Sequence, residues 1–177
     1  MRPMTHARLE RLYLAGLTVH NLEELIWLPA WTDRLRSFKP RISRAGFGCA
    51  VTVLTLLAYA LVPLSRLAGP RSRLAHLKAA YVNAVIANAF LPHLAASLTL
   101  RRYMPGLATG LLLNLPLGTA LIRRELAEGL IEAPRLRRAT LLFSLGLLAL
   151  LPLLFRLGER LWGEQAEDAD QPDWLVL

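Results

Sequence analysis

AGFGCAVTVLTLLAYALVPLS, residues 45–65, is a run of 21 residues without one charged side chain. A helix of about 20 residues crosses the ~30 Å hydrocarbon core of a bilayer, so this stretch predicts a transmembrane helix. Three further windows repeat the pattern. Ala79–Leu100 holds 22 uncharged residues with His93 neutral, Tyr103–Ile122 holds 20 and Ala139–Phe155 holds 17. Helices in the cores of water-soluble domains rarely run so long without a charge. Four such windows predict a polytopic membrane protein.

A fifth window, Leu12–Thr32, is apolar at both ends but contains Glu23 and Glu24. An acidic residue at the centre of a span costs about 2.5–3.5 kcal/mol on an insertion scale. The surrounding leucines, with Tyr13, Val19, Ile26 and Trp27, offset that cost. Trp27 and Trp31 are placed like interfacial anchors. The reading is therefore all-α: one integral membrane domain over residues 1–158, with helices at about 11–31, 45–65, 79–100, 104–122 and 139–157. A cleaved signal peptide is not expected, because HNLEE interrupts the first apolar stretch and no small-residue cleavage site follows.

Bulk composition agrees. Apolar residues make up 54% of the 177, charged residues 19%, and 21 Lys+Arg against 13 Asp+Glu leave a net charge of +8. Mean hydropathy is +0.37. A nucleic-acid-binding domain would display its basic residues on a soluble surface, whereas these lie between the spans, so nucleic acid is not an expected partner and the lipid bilayer is. A cytoplasmic N-terminus puts 12 Lys+Arg inside and 9 outside, and the first outside loop, with five, breaks the rule. The cell membrane is the expected location. From Glu159 onward six carboxylates and no apolar run predict a solvated, partly disordered tail over 159–177. Cys49, the single cysteine, is expected to be a small buried residue.

In a bilayer the polar side chains carry the information, because each needs compensation. The first span has His20, Asn21, Glu23 and Glu24; the third has Asn83, Asn88 and His93; the fourth has Asn114; the fifth has none. On a helix Glu23 lies about 60° to one side of His20 and Glu24 about 40° to the other, so all three share a face. Two adjacent carboxylates in a low-dielectric setting cannot both ionise freely without a cation. A protonated Glu, a Glu–His ion pair or a bound metal would each resolve this. The first and third helices run parallel, so His20 and His93 meet at similar depth, and Pro92 is expected to kink the third helix beside His93. Two His and one or two Glu form the ligand set of a His₂Glu zinc site or of a two-His-one-carboxylate iron site, with one metal as the ceiling. His6 and His76 sit in basic flanks and read as ordinary surface residues. Tyr103-Met104-Pro105-Gly106 makes the tight turn between the third and fourth helices, with Tyr103 able to donate toward the polar site.

His20-Asn21-Leu22-Glu23-Glu24, the later His93 and Tyr103-Met104-Pro105-Gly106, in that order, resemble the HXXEE family of small membrane proteins over about residues 12–125. That family is also described by a later histidine and a YxPG element. The resemblance implies a polytopic membrane protein and supports the site without supplying a reaction.

The expected site thus uses Glu23 or Glu24, with Tyr103, for acid–base work and His20, Glu23, Glu24 and His93 for one zinc or iron ion, acting on a lipophilic small molecule that enters from the bilayer. Terpenoid cyclisation with Trp27 steadying a cation, and metal-assisted hydrolysis or oxidation, are two versions. Proton or ion passage, and a scaffold in which the cluster serves only as hydrogen-bonded glue, are the competing classes.

Overall fold

A computed structural model of the chain describes residues 5–35 and 42–170, with no strand among them. Five helices account for them: α1 His6–Asp33, α2 Arg44–Ala68, α3 Arg73–Leu100, α4 over 107–127 and α5 Ala133–Asp170. Side-chain oxygens start the first three. Thr5, Ser43 and Ser72 accept from the backbone N–H of Arg8, Gly46 and Ala75, which satisfies donors with no intrahelical partner.

Each of the five apolar windows falls largely within one helix. Three helical stretches are long and apolar enough to cross a membrane: Arg44–Ala68, Arg73–Leu100 and Ala133–Gly163. They mark the chain as a membrane protein. Neither α1, which carries Glu10, Arg11, Glu23 and Glu24, nor α4 meets that standard of length and composition. By this measure, three of the five expected spans are supported. Helix α5 continues to Asp170, past the expected end at 157, so residues 159–170 of the acidic tail are helical. The remainder of that tail, with Trp174–Leu177, lies outside the described residues.

Helices α3 and α4 both change pitch. α3 is π-helical over Ala89–Leu94, where Pro92 has no N–H to donate and Leu91 leaves helical geometry (φ −129°, ψ 109°). α4 is π-helical over Gly110–Asn114. The two irregular stretches face each other: a Cβ on Gly110 would sit 3.2 Å from that of Ala89. This seam holds the polar site.

Around it, α1 packs on α2 and α4, α3 touches α2, α4 and α5, and α5 lies against α2 and α3. The apolar core includes Leu17, Leu61, Ala79, Val82 and Leu121. Where α2 meets α5 the backbones nearly touch; a Cβ on Gly158 would collide with the Ala45 carbonyl oxygen. Such close approach through small residues suits helices that pack without a hydrophobic driving force between them. Cys49 is buried and reduced, as expected. The outer face of α5 is apolar and uncovered, with Leu148 67% exposed.

Candidate functional site: a buried His–Glu centre

HNLEE lies in the middle of α1, where residues four apart stand one above the other. His20 and Glu24 are such a pair, and Nε2 of His20 is 3.7 Å from Oε1 of Glu24. The irregular turn of α3 brings His93 to the same point, its Nε2 2.8 Å from that oxygen. The two imidazole rings meet edge to face, 5.3 Å between centroids. All three side chains are buried, and one ligand atom from each falls within 4.8 Å of the other two. Parallel helices and the Pro92 irregularity were both legible in the sequence. Their result is a triad.

Glu23 takes a separate position. One of its oxygens accepts from the Tyr103 hydroxyl at 2.5 Å and the other from the Thr109 hydroxyl at 2.6 Å. With its proton committed to Glu23, Thr109 Oγ1 can only accept from His20 Nδ1, 2.9 Å away. His20 therefore carries its proton on Nδ1 and turns the lone pair of Nε2 into the triad. This carboxylate–hydroxyl–imidazole relay is the kind of outer support that orients metal-binding histidines. The HNLEE pair is divided: Glu24 faces inward among the histidines, while Glu23 holds them from behind.

Asn88 completes the centre. Its Nδ2 is 2.9 Å from His93 Nε2 and 3.5 Å from His20 Nε2. One ring nitrogen cannot accept from an amide and donate to a carboxylate at once. His93 Nε2 therefore either donates to Glu24, making a His–Glu ion pair, or turns its lone pair inward, where a cation would balance the carboxylate. His93 Nδ1 is buried with no partner among the described residues.

The YMPG turn is explained by the same contacts. Tyr103 reaches Glu23, and Gly106, at φ +91°, lies flat on the His93 ring, where a Cβ would come within 2.5 Å of Cε1. Burial first, and then the bond to Glu23, push the Tyr103 phenol above its ordinary value. Histidine, acidic pair, second histidine and YxPG thus converge on one centre. A family model described as "Protein of unknown function with HXXEE motif" matches residues 11–121.

The chain belongs to the HXXEE family. A relative, the uncharacterised protein YrkK of Bacillus subtilis (strain 168), is 38% identical over 146 residues, which cover 82% of this chain and 92% of the relative. No solved structure matches.

In this HXXEE protein, Trp27 and the other polar residues of the spans stand elsewhere. Trp27 is 57% exposed and turned away from the triad. Asn21 donates to Thr55 of α2, and Asn83 to Thr140 of α5. Asn114 is buried beside Gly16, and neither amide atom has a partner among the described residues. Thr109 and Asn88 are the residues missed. Asn88 stood out only as one of several polar residues, and Thr109 had no signal beyond lying one turn after YMPG.

A second polar cluster corrects the sequence reading. Arg66 and Lys78, counted with the basic residues between the spans, turn inward to meet Glu10 and Glu125. Lys78 Nζ lies 2.7 Å from Glu10 and 2.6 Å from Glu125, and Arg66 also binds Glu10. His6 lies 3.2 Å from Glu125. His6, Glu10 and Glu125 also bring ligand atoms within 4.8 Å of one another, but the Lys78 ammonium already supplies the cation between the two carboxylates. His76, expected on the surface, is buried: it is held to the Ser72 carbonyl and accepts from the Glu132 N–H.

Proposed function

We propose that the HXXEE centre binds one divalent metal ion, zinc or iron(II), through His20 Nε2, Glu24 and His93 Nε2, and acts on a lipophilic molecule reaching it from the bilayer. The carrying observation is the convergence of two imidazole nitrogens and a carboxylate oxygen on one buried point that no Lys or Arg reaches among the described residues. Two nitrogens and one oxygen are the donor set of catalytic zinc and of two-His-one-carboxylate iron. Such an ion would supply Lewis acidity and an activated water for hydrolysis. Thr109 and Glu23 orient His20, and Tyr103, 52% exposed, passes protons between Glu23 and the outside. Val19, Leu22 and Leu91, in the same turns as His20, Glu23 and His93, face outward, which suits an apolar substrate. This reading uses all five helices as spans, with the N-terminus in the cytoplasm of a cell-membrane protein.

Metal content of detergent-purified protein, reconstituted separately with Zn²⁺ and Fe²⁺, tests it. One ion per chain is expected in the wild type and none in His20→Ala or Glu24→Ala. A folded wild type that retains neither ion sinks the metal site.

Proton passage is a second reading, favoured by one observation. The Tyr13 hydroxyl and the Asn114 amide, buried and unpartnered among the described residues, lie along α1 between the Glu10 cluster and His20. Pyranine-loaded liposomes would show proton flux dependent on Asn114 if that reading holds.

A further inference from the structure

A groove of about 1020 Å³ opens on the side of the bundle formed by α2, α3 and α5, away from the His–Glu centre. Its walls are apolar, with Leu54 and Leu57 from α2, Leu77 from α3, and Leu142, Leu147 and Leu150 from α5. Its mouth is basic. Arg71, Arg73 and Arg135 line that end, at the face of the bundle where α1 begins.

The charge there is unbalanced. Arg71 and Arg135 share a single carboxylate, Glu132, at 3.9 and 3.0 Å, and Arg73 has no ion pair among the described residues. The His76 ring, also at the mouth, is tied up by Ser72 and Glu132 and adds no acceptor for the arginines. Three guanidiniums against one carboxylate select an anion. From Arg135 to Leu150 the groove follows α5 for about 22 Å, more than the ~15 Å depth of one leaflet's hydrocarbon. Gly146 opens its floor: a Cβ there would meet nothing within 4 Å.

We propose that this groove binds one anionic phospholipid of the leaflet facing the α1 N-terminus, its phosphate on Arg73 and Arg135 and one acyl chain along α5 past Gly146. Free phosphate would engage the mouth alone and leave the apolar wall unused. A zwitterionic lipid would bring its own cation toward the arginines. The proposal rests on the membrane reading and is independent of the metal centre.

Native mass spectrometry of detergent-purified protein, titrated with phosphatidylglycerol or with phosphatidylcholine of the same chains, tests it. One phosphatidylglycerol per chain is expected, with phosphatidylcholine at least about tenfold weaker. Arg73→Gln/Arg135→Gln should weaken phosphatidylglycerol by about tenfold or more. Gly146→Phe should abolish the adduct without changing the melting temperature in detergent alone, since the ring would occupy open space. Equal retention of the two lipids overturns the proposal without any variant. So does phosphatidylglycerol binding unchanged in both variants, or inorganic phosphate competing as strongly as the lipid.

Discussion

The two buried polar clusters of this HXXEE protein use similar residues to opposite ends. Near the α1 N-terminus, Glu10 and Glu125 meet Lys78 and Arg66, so carboxylates and cations balance. Fourteen residues further along α1, about 21 Å, Glu24 meets two histidines, and no Lys or Arg reaches either acid of HNLEE among the described residues. The first cluster carries its own cations, with Glu125 Oε2 alone left without a partner among the described residues. The second holds no Lys or Arg among the described residues, which is what the proposed metal site would use.

The largest break in this comparison should come from Lys78→Met, which strands two buried carboxylates. A cost of about 3–5 kcal/mol is expected, measured by denaturant unfolding in detergent. Acid should reproduce it in part. Burial raises the Glu10 carboxyl, but bonds from Lys78 and Arg66 outweigh that and hold it below the usual value. A depressed carboxyl stabilises the fold above its unfolded value and loses that stabilisation as pH falls through the folded one. The wild-type unfolding midpoint should therefore drop on acidification below about pH 4.5, with a shallower slope in Lys78→Met.

Gly106→Ala is next in size. The new Cβ collides with His93 in a backbone conformation that favours glycine, so about 1–3 kcal/mol of stability should be lost. Metal retention should fall with it, because the ring must move. A variant that keeps full stability and metal would break the link between the YxPG turn and the centre.

Thr109→Val removes the hydroxyl between Glu23 and His20 while keeping its shape. Metal affinity should fall by about 10- to 100-fold, read by competition with a chelating dye, with full occupancy recovered at excess metal. Smallest of all should be the effect of Glu24→Gln on the stability of metal-free protein, under about 1 kcal/mol, since no Lys or Arg there loses its partner and the amide oxygen still accepts. A loss as large as that of Lys78→Met would make the His–Glu centre structural glue and erase the distinction between the clusters.

Much of this centre was legible beforehand because helical period and membrane depth are arithmetic. His20 and Glu24 stand four apart, His93 lies at matching depth on a parallel helix, and Pro92 marks the irregular turn. Thr109 and Asn88 were not legible as partners, since common polar residues acquire a role only from what faces them across a helix seam. The charges at the window edges misled for a related reason. Arg66 and Lys78 lie where a loop side chain and an inward-turned one look alike in sequence, and pairing across three helices decides between them.

By itself, then, the sequence determined the helical membrane class and the residue types of the centre. Uncharged windows of span length and the i, i+4 spacing on α1 are properties of one chain segment at a time. Tertiary structure decided which acid of HNLEE faces the histidines, which hydroxyl sets the His20 tautomer, and which flanking charges are buried. Those outcomes depend on Coulomb and hydrogen-bond partners supplied by other helices, at distances that no single segment encodes.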